Sequence, residues 1–85
     1  MIIYYSSKFA REYKKLPQNT KMQAEKTEIL FRQNPFDPQL KTHKLKGILS
    51  KYYSFSIDKN YRIIFEFQTA KIIWFLSVRN HSIYK

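Results

Sequence analysis

The last third of the chain most constrains what this sequence can fold into, because it holds three short runs of β-forming residues. The runs are Tyr52–Ile57, Tyr61–Gln68 and Lys71–Val78. In the first two, large apolar residues mostly alternate with polar ones, which is the period of a strand with one buried face. The third run is apolar on both faces, which indicates a position inside the sheet. Short turns between the runs predict a mainly antiparallel sheet.

The first half of the chain begins with another short strand, Ile2–Tyr5, and then a helix. Ser6 or Ser7 can cap this helix, because a serine hydroxyl accepts a hydrogen bond from a first-turn N–H. The helix is expected to continue to Leu16, because a proline at position 17 disfavours helical geometry in the residue before it. Its apolar face follows the spacing i, i+4, i+7 and consists of Phe9, Tyr13 and Leu16.

A second helix is predicted from about Asn19 to Arg32, with an apolar face of Met22, Ile29 and Leu30. The two helices are joined by a short break and should form an antiparallel hairpin. After them, His43–Leu49 is predicted as a loop in which Gly47 takes a backbone angle that other residues avoid. The predicted fold class is therefore α+β, with the order β-α-α-β-β-β. A helical hairpin packs on a small, mainly antiparallel four-stranded sheet in one domain spanning residues 1–85.

The charge of the chain restricts its partners. Lys and Arg number 16 against 6 Asp and Glu, which gives a net charge of +10. So strong a field favours a polyanion: a nucleic acid, an anionic membrane surface or an acidic protein. The chain has no cysteine and no apolar run of membrane-spanning length. We therefore expect a cytoplasmic protein that does not bind a membrane.

The acidic residues are scattered, so no metal-binding motif and no cofactor is predicted. Phosphodiester chemistry would then need a base for the 2′-hydroxyl, an acid for the leaving oxygen and a cation for the phosphorus-bound oxygens. His43 and His81 suit the first two roles, and Arg62 suits the third. Spacing and composition are equally compatible with a basic α+β domain that binds a polyanion without catalysis, in which these side chains are ordinary surface residues.

Three segments carry a family resemblance: the loop His43–Gly47 (HKLKG), the strand Asn60–Phe65 (NYRIIF) and the ending Asn80–Tyr84 (NHSIY). Together with the order of elements, they resemble the RelE/ParE superfamily, the toxins of type II toxin–antitoxin pairs. The resemblance covers essentially the whole chain and is closest to the RelE/YoeB/YafQ-like mRNA interferases. It implies a ribosome-dependent endoribonuclease that cuts mRNA in the A site, inhibits translation and leaves a 2′,3′-cyclic phosphate.

The resemblance also implies roles for single residues. Arg62 matches the arginine that binds the scissile phosphate, and His81 matches the tail residue that acts on the leaving group. Tyr84 matches the terminal aromatic that stacks on a substrate base, and His43 falls where related nucleases place a general base. RelE itself has strand lysines where this chain has serines, so the site would depend more on its histidines. The expected RNA-binding residues are Lys41, Lys44, Lys46, Lys51, Ser54, Ser56 and Arg79.

The implied partners are a cognate antitoxin with an acidic segment, the ribosome and mRNA. The protein would be a monomer or part of an antitoxin-bound hetero-oligomer. Two alternatives stay open at this point. A ParE-like protein would inhibit DNA gyrase and cleave nothing, and a basic RNA-binding domain without activity would bind RNA in a salt-sensitive way.

Overall fold

The computed structural model describes residues 1–47 and 50–80, which form two helices against a five-stranded mixed sheet. In chain order the elements are β1 (Ile2–Tyr5), α1 (Ser7–Lys14), α2 (Gln18–Gln33), β2 (His43–Lys44), β3 (Tyr53–Ser56), β4 (Tyr61–Phe67) and β5 (Ile72–Asn80). A single 3-10 turn, Pro38–Leu40, follows α2. The α+β class and the order of the predicted elements are confirmed.

The sheet has the strand order β1-β5-β4-β3-β2. All neighbouring pairs are antiparallel except β1 and β5, which run parallel. The predicted count of four strands is wrong by one, because His43–Lys44 pairs with Ser54 and Tyr53 as a short edge strand where a loop was expected. β5 lies between β1 and β4, as its two apolar faces predicted.

β5 also runs two residues further than predicted, so Arg79 and Asn80 are strand residues opposite Arg62 and Tyr61 rather than the start of a tail. His81 and Tyr84 lie outside the described residues.

Helix α1 begins as the sequence predicts. The Ser6 hydroxyl accepts a hydrogen bond from the Phe9 N–H at 3.0 Å, and it also donates to the Leu76 carbonyl on β5 at 2.8 Å. The cap therefore fixes the helix start against the sheet. The helix ends at Lys14, two residues before the predicted end, although Leu16 is still buried in the core.

The predicted apolar face of α2 is wrong for Met22 and Ile29, whereas Leu30 is partly buried against the core. Met22 and Ile29 are 51% and 60% exposed, and the buried stripe instead consists of Thr20, Ala24, Thr27 and Phe31. These four follow the helical spacing i, i+4, i+7, i+11. The sequence does not reveal this stripe, because two of its members are threonines. The Thr27 hydroxyl donates to the Ala24 carbonyl at 3.0 Å, so its polar group is satisfied within the helix while the residue stays buried.

An aromatic cluster forms the centre of the core between α2 and the sheet. Phe31 on α2 has no exposed surface, and its ring centroid lies 4.9 Å from those of Phe55 and Phe65 and 5.3 Å from that of Phe75. These three sheet residues come from β3, β4 and β5 and share one face. The cluster therefore defines which face of the sheet is buried against the helices, and which residues alternate to the other side.

A β-bulge shifts this alternation in β5. Ile64 pairs with Ser77 and Phe65 pairs with Phe75, which leaves Leu76 as the extra residue. Val78 consequently joins Ile73 and Phe75 in the buried core, whereas an unbroken strand would place it on the opposite face. The same shift puts Ser77 and Arg79 on the face away from the aromatic cluster.

One residue on each side of β2 takes a left-handed backbone angle. Gly47 has φ +71°, as predicted for the only glycine of the chain, and Lys41 has φ +53°. A lysine in this region is uncommon and slightly strained.

Among the described residues, no helix is both long enough and apolar enough to cross a membrane.

Candidate functional site on the sheet face opposite the aromatic cluster

The sheet register gathers polar side chains on the face opposite to the aromatic cluster, which we call the site face. Residues directly opposite on neighbouring strands share a face. One row of opposed residues is His43, Ser54, Ile64 and Ser77, and the adjacent row is Ser56, Arg62 and Arg79. The site face therefore combines one imidazole, two guanidinium groups and three hydroxyls contributed by four strands.

The two arginines are the most informative pair on this face. Arg62 on β4 and Arg79 on β5 are directly opposite each other, and both are half-buried. Guanidinium groups bind phosphate oxygens through paired N–H donors. The arrangement is therefore suited to an oxyanion.

Arg79 is held by a hydrogen-bonded chain that reaches α1. Its Nε donates to the Ser77 hydroxyl at 2.7 Å, and this hydroxyl donates to Oε1 of Glu12 at 2.8 Å. The same carboxylate oxygen accepts the Val78 N–H at 3.0 Å. Glu12 thus provides an acceptor at the edge of β5 beyond the point where β1 has ended. The network fixes the Arg79 stem relative to the sheet.

The geometry of His43 indicates which of its nitrogens is basic. Nδ1 lies 3.1 Å from the Lys41 carbonyl oxygen, which can only accept, so Nδ1 carries the proton of the neutral ring. Nε2 is then the unprotonated nitrogen, and the Ser54 hydroxyl lies 3.5 Å from it. The left-handed turn at Lys41 presents the carbonyl that fixes this tautomer. His43 is exposed, so its Nε2 can receive a proton from a ligand.

His43 and Arg62 lie on strands that both flank β3, two residues apart in register. With a strand separation of about 4.8 Å and a rise of about 3.3 Å per residue, their Cα atoms are on the order of 12 Å apart. At this separation the two side chains can act on different atoms of one bound group without touching each other. A substrate group lying over Ser54 and Ser56 would bridge them.

A cleft of about 380 Å³ opens between the end of β3 and Gln23, Thr27 and Leu30 of α2. Lys41, Lys59 and Arg62 line it together with Ser56 and Asp58. Asp58 is already engaged, since its Oδ1 accepts the N–H groups of Asn60 and Tyr61 at 2.8 and 2.9 Å. That carboxylate holds the turn between β3 and β4, and the cations give the cleft a positive lining.

The structure distributes the other predicted RNA-binding residues unevenly. Lys44, Lys46 and Lys51 are exposed around β2 and the turn that leads to β3. Ser54 is only 2% exposed, so it lies beneath the surface predicted to meet RNA and instead supports His43. Ser56 is half-buried beside Arg62. Two predicted catalytic residues, His43 and Arg62, are thus on one face, while His81 and Tyr84 remain outside the described part of the chain.

Sequence reasoning missed two features of this site. The direct opposition of Arg62 and Arg79 depends on the bulge at Leu76, which no local pattern signals. The support of Arg79 by Ser77 and Glu12 joins residues 65 positions apart along the chain. One sequence signal was available: Ser77 and Arg79 are polar residues two positions apart in an otherwise apolar strand. Such alternation indicates a face that does not pack into the core.

Within residues 1–47 and 50–80, no group of three His, Cys, Asp or Glu side chains is placed to hold a metal ion. The arrangement described above can bind an oxyanion, accept a proton at His43 Nε2 and direct positive charge at a phosphate.

Comparison with solved structures identifies the fold. YafQ from Escherichia coli strain BL21(DE3) aligns over 96% of this chain and 94% of its own, with a TM-score of 0.72 and 22% identity. A YoeB/ParE toxin from Agrobacterium tumefaciens aligns over 95% and 99%, with a TM-score of 0.78 and 16% identity. The RelB–RelE antitoxin–toxin complex from Methanococcus jannaschii contains a chain that aligns over 95% and 94%, with a TM-score of 0.73 and 24% identity.

No protein-family model matches the sequence, and no curated protein matches it significantly.

The alignments with solved structures show that the chain has the fold of the RelE/YoeB/YafQ-type toxins over nearly its whole length. This confirms, at the level of the fold, the resemblance seen in the sequence.

Proposed function

We propose that this chain is the toxin of a type II toxin–antitoxin pair and acts as a ribosome-dependent, metal-free endoribonuclease that cleaves mRNA in the A site. The observation that carries the proposal is the pair of opposed arginines, Arg62 and Arg79, on the same sheet face as the exposed His43. Two adjacent guanidinium groups can bind a phosphodiester through paired N–H donors, on the same sheet face as the base at His43. The fold shared with YafQ and RelE supports the same role.

The proposed reaction is an internal transesterification. His43 Nε2 takes the proton of the 2′-hydroxyl, which then attacks the adjacent phosphorus. Arg62, assisted by Arg79, stabilises the negative charge that develops on the phosphorus-bound oxygens. His81 donates a proton to the departing 5′-oxygen, and Tyr84 stacks on a substrate base. The products are a 2′,3′-cyclic phosphate and a 5′-hydroxyl end.

The proposed partners follow from this role. The ribosome would present the mRNA, and the exposed lysines Lys44, Lys46 and Lys51 would contact RNA phosphates, as would Lys41 at the cleft. A cognate antitoxin with an acidic segment would bind the +10 domain, with an association rate that falls as salt rises. Antitoxin–toxin complexes are known for two of the structural neighbours, YafQ with DinJ and RelE with RelB. Such a protein would act in the cytoplasm.

The proposal is tested by growth arrest after induction, followed by mapping of mRNA ends. Arg62→Ala and His81→Ala should each lower cleavage on ribosomes by about 10²–10³-fold, the usual effect of removing one transition-state donor. Arg11→Ala, which removes an exposed arginine from α1, is the matched control and should leave cleavage unchanged. Circular dichroism checks that each variant is folded. Full toxicity of both Arg62→Ala and His81→Ala would exclude the catalytic scheme.

A second function is considered because one neighbour is described as a YoeB/ParE toxin. A ParE-like protein would bind DNA gyrase and leave mRNA intact. Primer extension after induction separates the two functions. Codon-phased mRNA ends support the nuclease, whereas DNA breaks with intact mRNA support the gyrase inhibitor.

A further inference from the structure

A hollow opens on the site face, on the side of Arg79 away from the cleft at the end of β3. Its volume is about 360 Å³, and its lining includes Lys8, Leu45, Tyr52, Ile64, Leu76 and Arg79. We call it the Tyr52 hollow. We propose that it binds one nucleobase of the RNA strand whose phosphate meets Arg79; this rests on the proposed function, since it assigns a further subsite for the same substrate.

The lining has the composition of a base-binding site. Leu45, Ile64 and Leu76 provide apolar surface, and Tyr52 provides an aromatic ring. A nucleobase is flat, has an apolar face and stacks on aromatic side chains, which is the usual mode by which proteins bind unpaired RNA. The volume lies in the range of about 300–1,000 Å³ that is typical of small-molecule sites.

The β-bulge creates this surface. Because Leu76 is the extra residue between the Ile64–Ser77 and Phe65–Phe75 pairs, it is released from the regular alternation of β5. Leu76 and Ser77 both line the hollow, which neighbouring residues of a regular strand could not do from opposite faces. Bulges are frequent next to functional sites because they redirect side chains in this way.

Charge complementarity selects RNA as the occupant. Lys8 and Arg79 line the hollow, and the Lys51 ammonium lies 5.2 Å from the Tyr52 ring centroid. Apolar surface bordered by cations matches a nucleotide, in which a flat base is attached to a phosphate. Arg79 belongs both to this hollow and to the arginine pair. The hollow therefore holds the base of a nucleotide adjacent to the phosphate bound by Arg62 and Arg79.

The test measures binding of a single-stranded RNA hexanucleotide in the absence of ribosomes. The same RNA is made with an abasic nucleotide at each position in turn. One abasic position should weaken binding to the wild-type protein by about tenfold, because stacking of one base on an aromatic side chain contributes on the order of 5- to 100-fold. Tyr52→Phe should behave as the wild type. Tyr52→Leu should bind the intact RNA about tenfold more weakly and show no further loss at that position.

Lys8→Ala should weaken binding of intact and abasic RNA equally, because it removes a phosphate contact. It should also reduce the slope of log K against log salt concentration by about one. Lys26→Ala, an exposed lysine on α2, is the control and should change neither. The inference is refuted if every abasic position has the same small effect on the wild type and on all variants, or if Tyr52→Leu binds RNA like the wild type. It is also refuted if a polyglutamate peptide binds more tightly than RNA in a Tyr52-dependent way.

Ribosome-dependent cleavage is measured on the same variants. Base-dependent binding without any cleavage would refute the proposed nuclease while leaving the Tyr52 hollow in place. Cleavage without base dependence at Tyr52 would refute the base-binding role of the Tyr52 hollow while leaving the proposed nuclease in place.

Discussion

Glu12 provides a quantitative prediction because one carboxylate oxygen accepts two hydrogen bonds at the edge of β5. The donors are the Ser77 hydroxyl at 2.8 Å and the Val78 N–H at 3.0 Å. Ser77 and Val78 are only 4% and 6% exposed, so solvent has little access to either residue if the carboxylate is removed. Each buried donor left without an acceptor costs about 1–3 kcal/mol.

Glu12→Ala should therefore lower the free energy of unfolding by about 2–6 kcal/mol, the sum for two donors. Glu12→Gln keeps an oxygen acceptor but loses the charge. Bonds to charged groups contribute about 1 kcal/mol more than neutral ones, so this variant should lose about 2 kcal/mol over two bonds. Such losses are large against a total stability of roughly 4–13 kcal/mol for a chain of this length.

Urea denaturation followed by circular dichroism measures these changes at constant pH and salt. Glu25→Ala removes an exposed acid from α2 and is the matched control, with an expected change within about 0.5 kcal/mol. Ser77→Ala removes one of the two donors, so Glu12→Ala should cost less in that background than in the wild type. A loss below about 0.5 kcal/mol for Glu12→Ala, or strict additivity with Ser77→Ala, would show that the carboxylate does not hold the β5 edge.

Three further predictions concern the core, helix α2 and the contact of Tyr5 on β1 with α2. Phe31→Ala should cost about 3–5 kcal/mol in urea denaturation because it opens a cavity in the aromatic cluster; a cost below about 1 kcal/mol would contradict that packing. Ile29→Ala on the exposed side of α2 should change the same free energy by less than about 0.5 kcal/mol, and a larger loss would mean that this side chain is covered. The pKa of Tyr5 is raised above its usual value by burial and by the hydrogen bond that its hydroxyl donates to Glu28 at 2.7 Å. The folded state therefore favours the protonated phenol, and stability that is complete below the unfolded pKa near 10 should be lost as pH rises past it. The free energy of unfolding of Tyr5→Phe should fall less steeply there than that of the wild type, and equal slopes would refute the assignment.

Local patterns were sufficient for much of the fold. Alternating apolar residues in the runs Tyr52–Ile57 and Tyr61–Gln68 predicted which side chains enter the core, and Phe55, Ile57, Ile63 and Phe65 are all buried. The Ser6 cap and the angle at Gly47 were predicted because each depends on a few neighbouring residues. Of the predicted helix face of α2 only Leu30 packs against the core, since buried threonines look polar in sequence while their hydroxyls can be satisfied by the helix itself.

The candidate site was predicted only in part. His43 and Arg62 were chosen by residue type and by family resemblance, and the register of β2, β3 and β4 puts both on one face. The family resemblance did not predict that Ser54 would be buried or that β2 would form, because both depend on a two-residue strand pairing with β3.

The sequence by itself determined the class of the fold, its basic surface and the residue types available for chemistry, because composition and periodicity are properties of neighbouring residues. Only the tertiary structure decided that Arg79 opposes Arg62, that Glu12 holds it through Ser77, and that Tyr52 lines a hollow beside it. These relations depend on strand register and on a one-residue bulge at Leu76. A shift of a single residue in β5 would turn its polar side chains to the other face, and no local pattern in the chain encodes that choice.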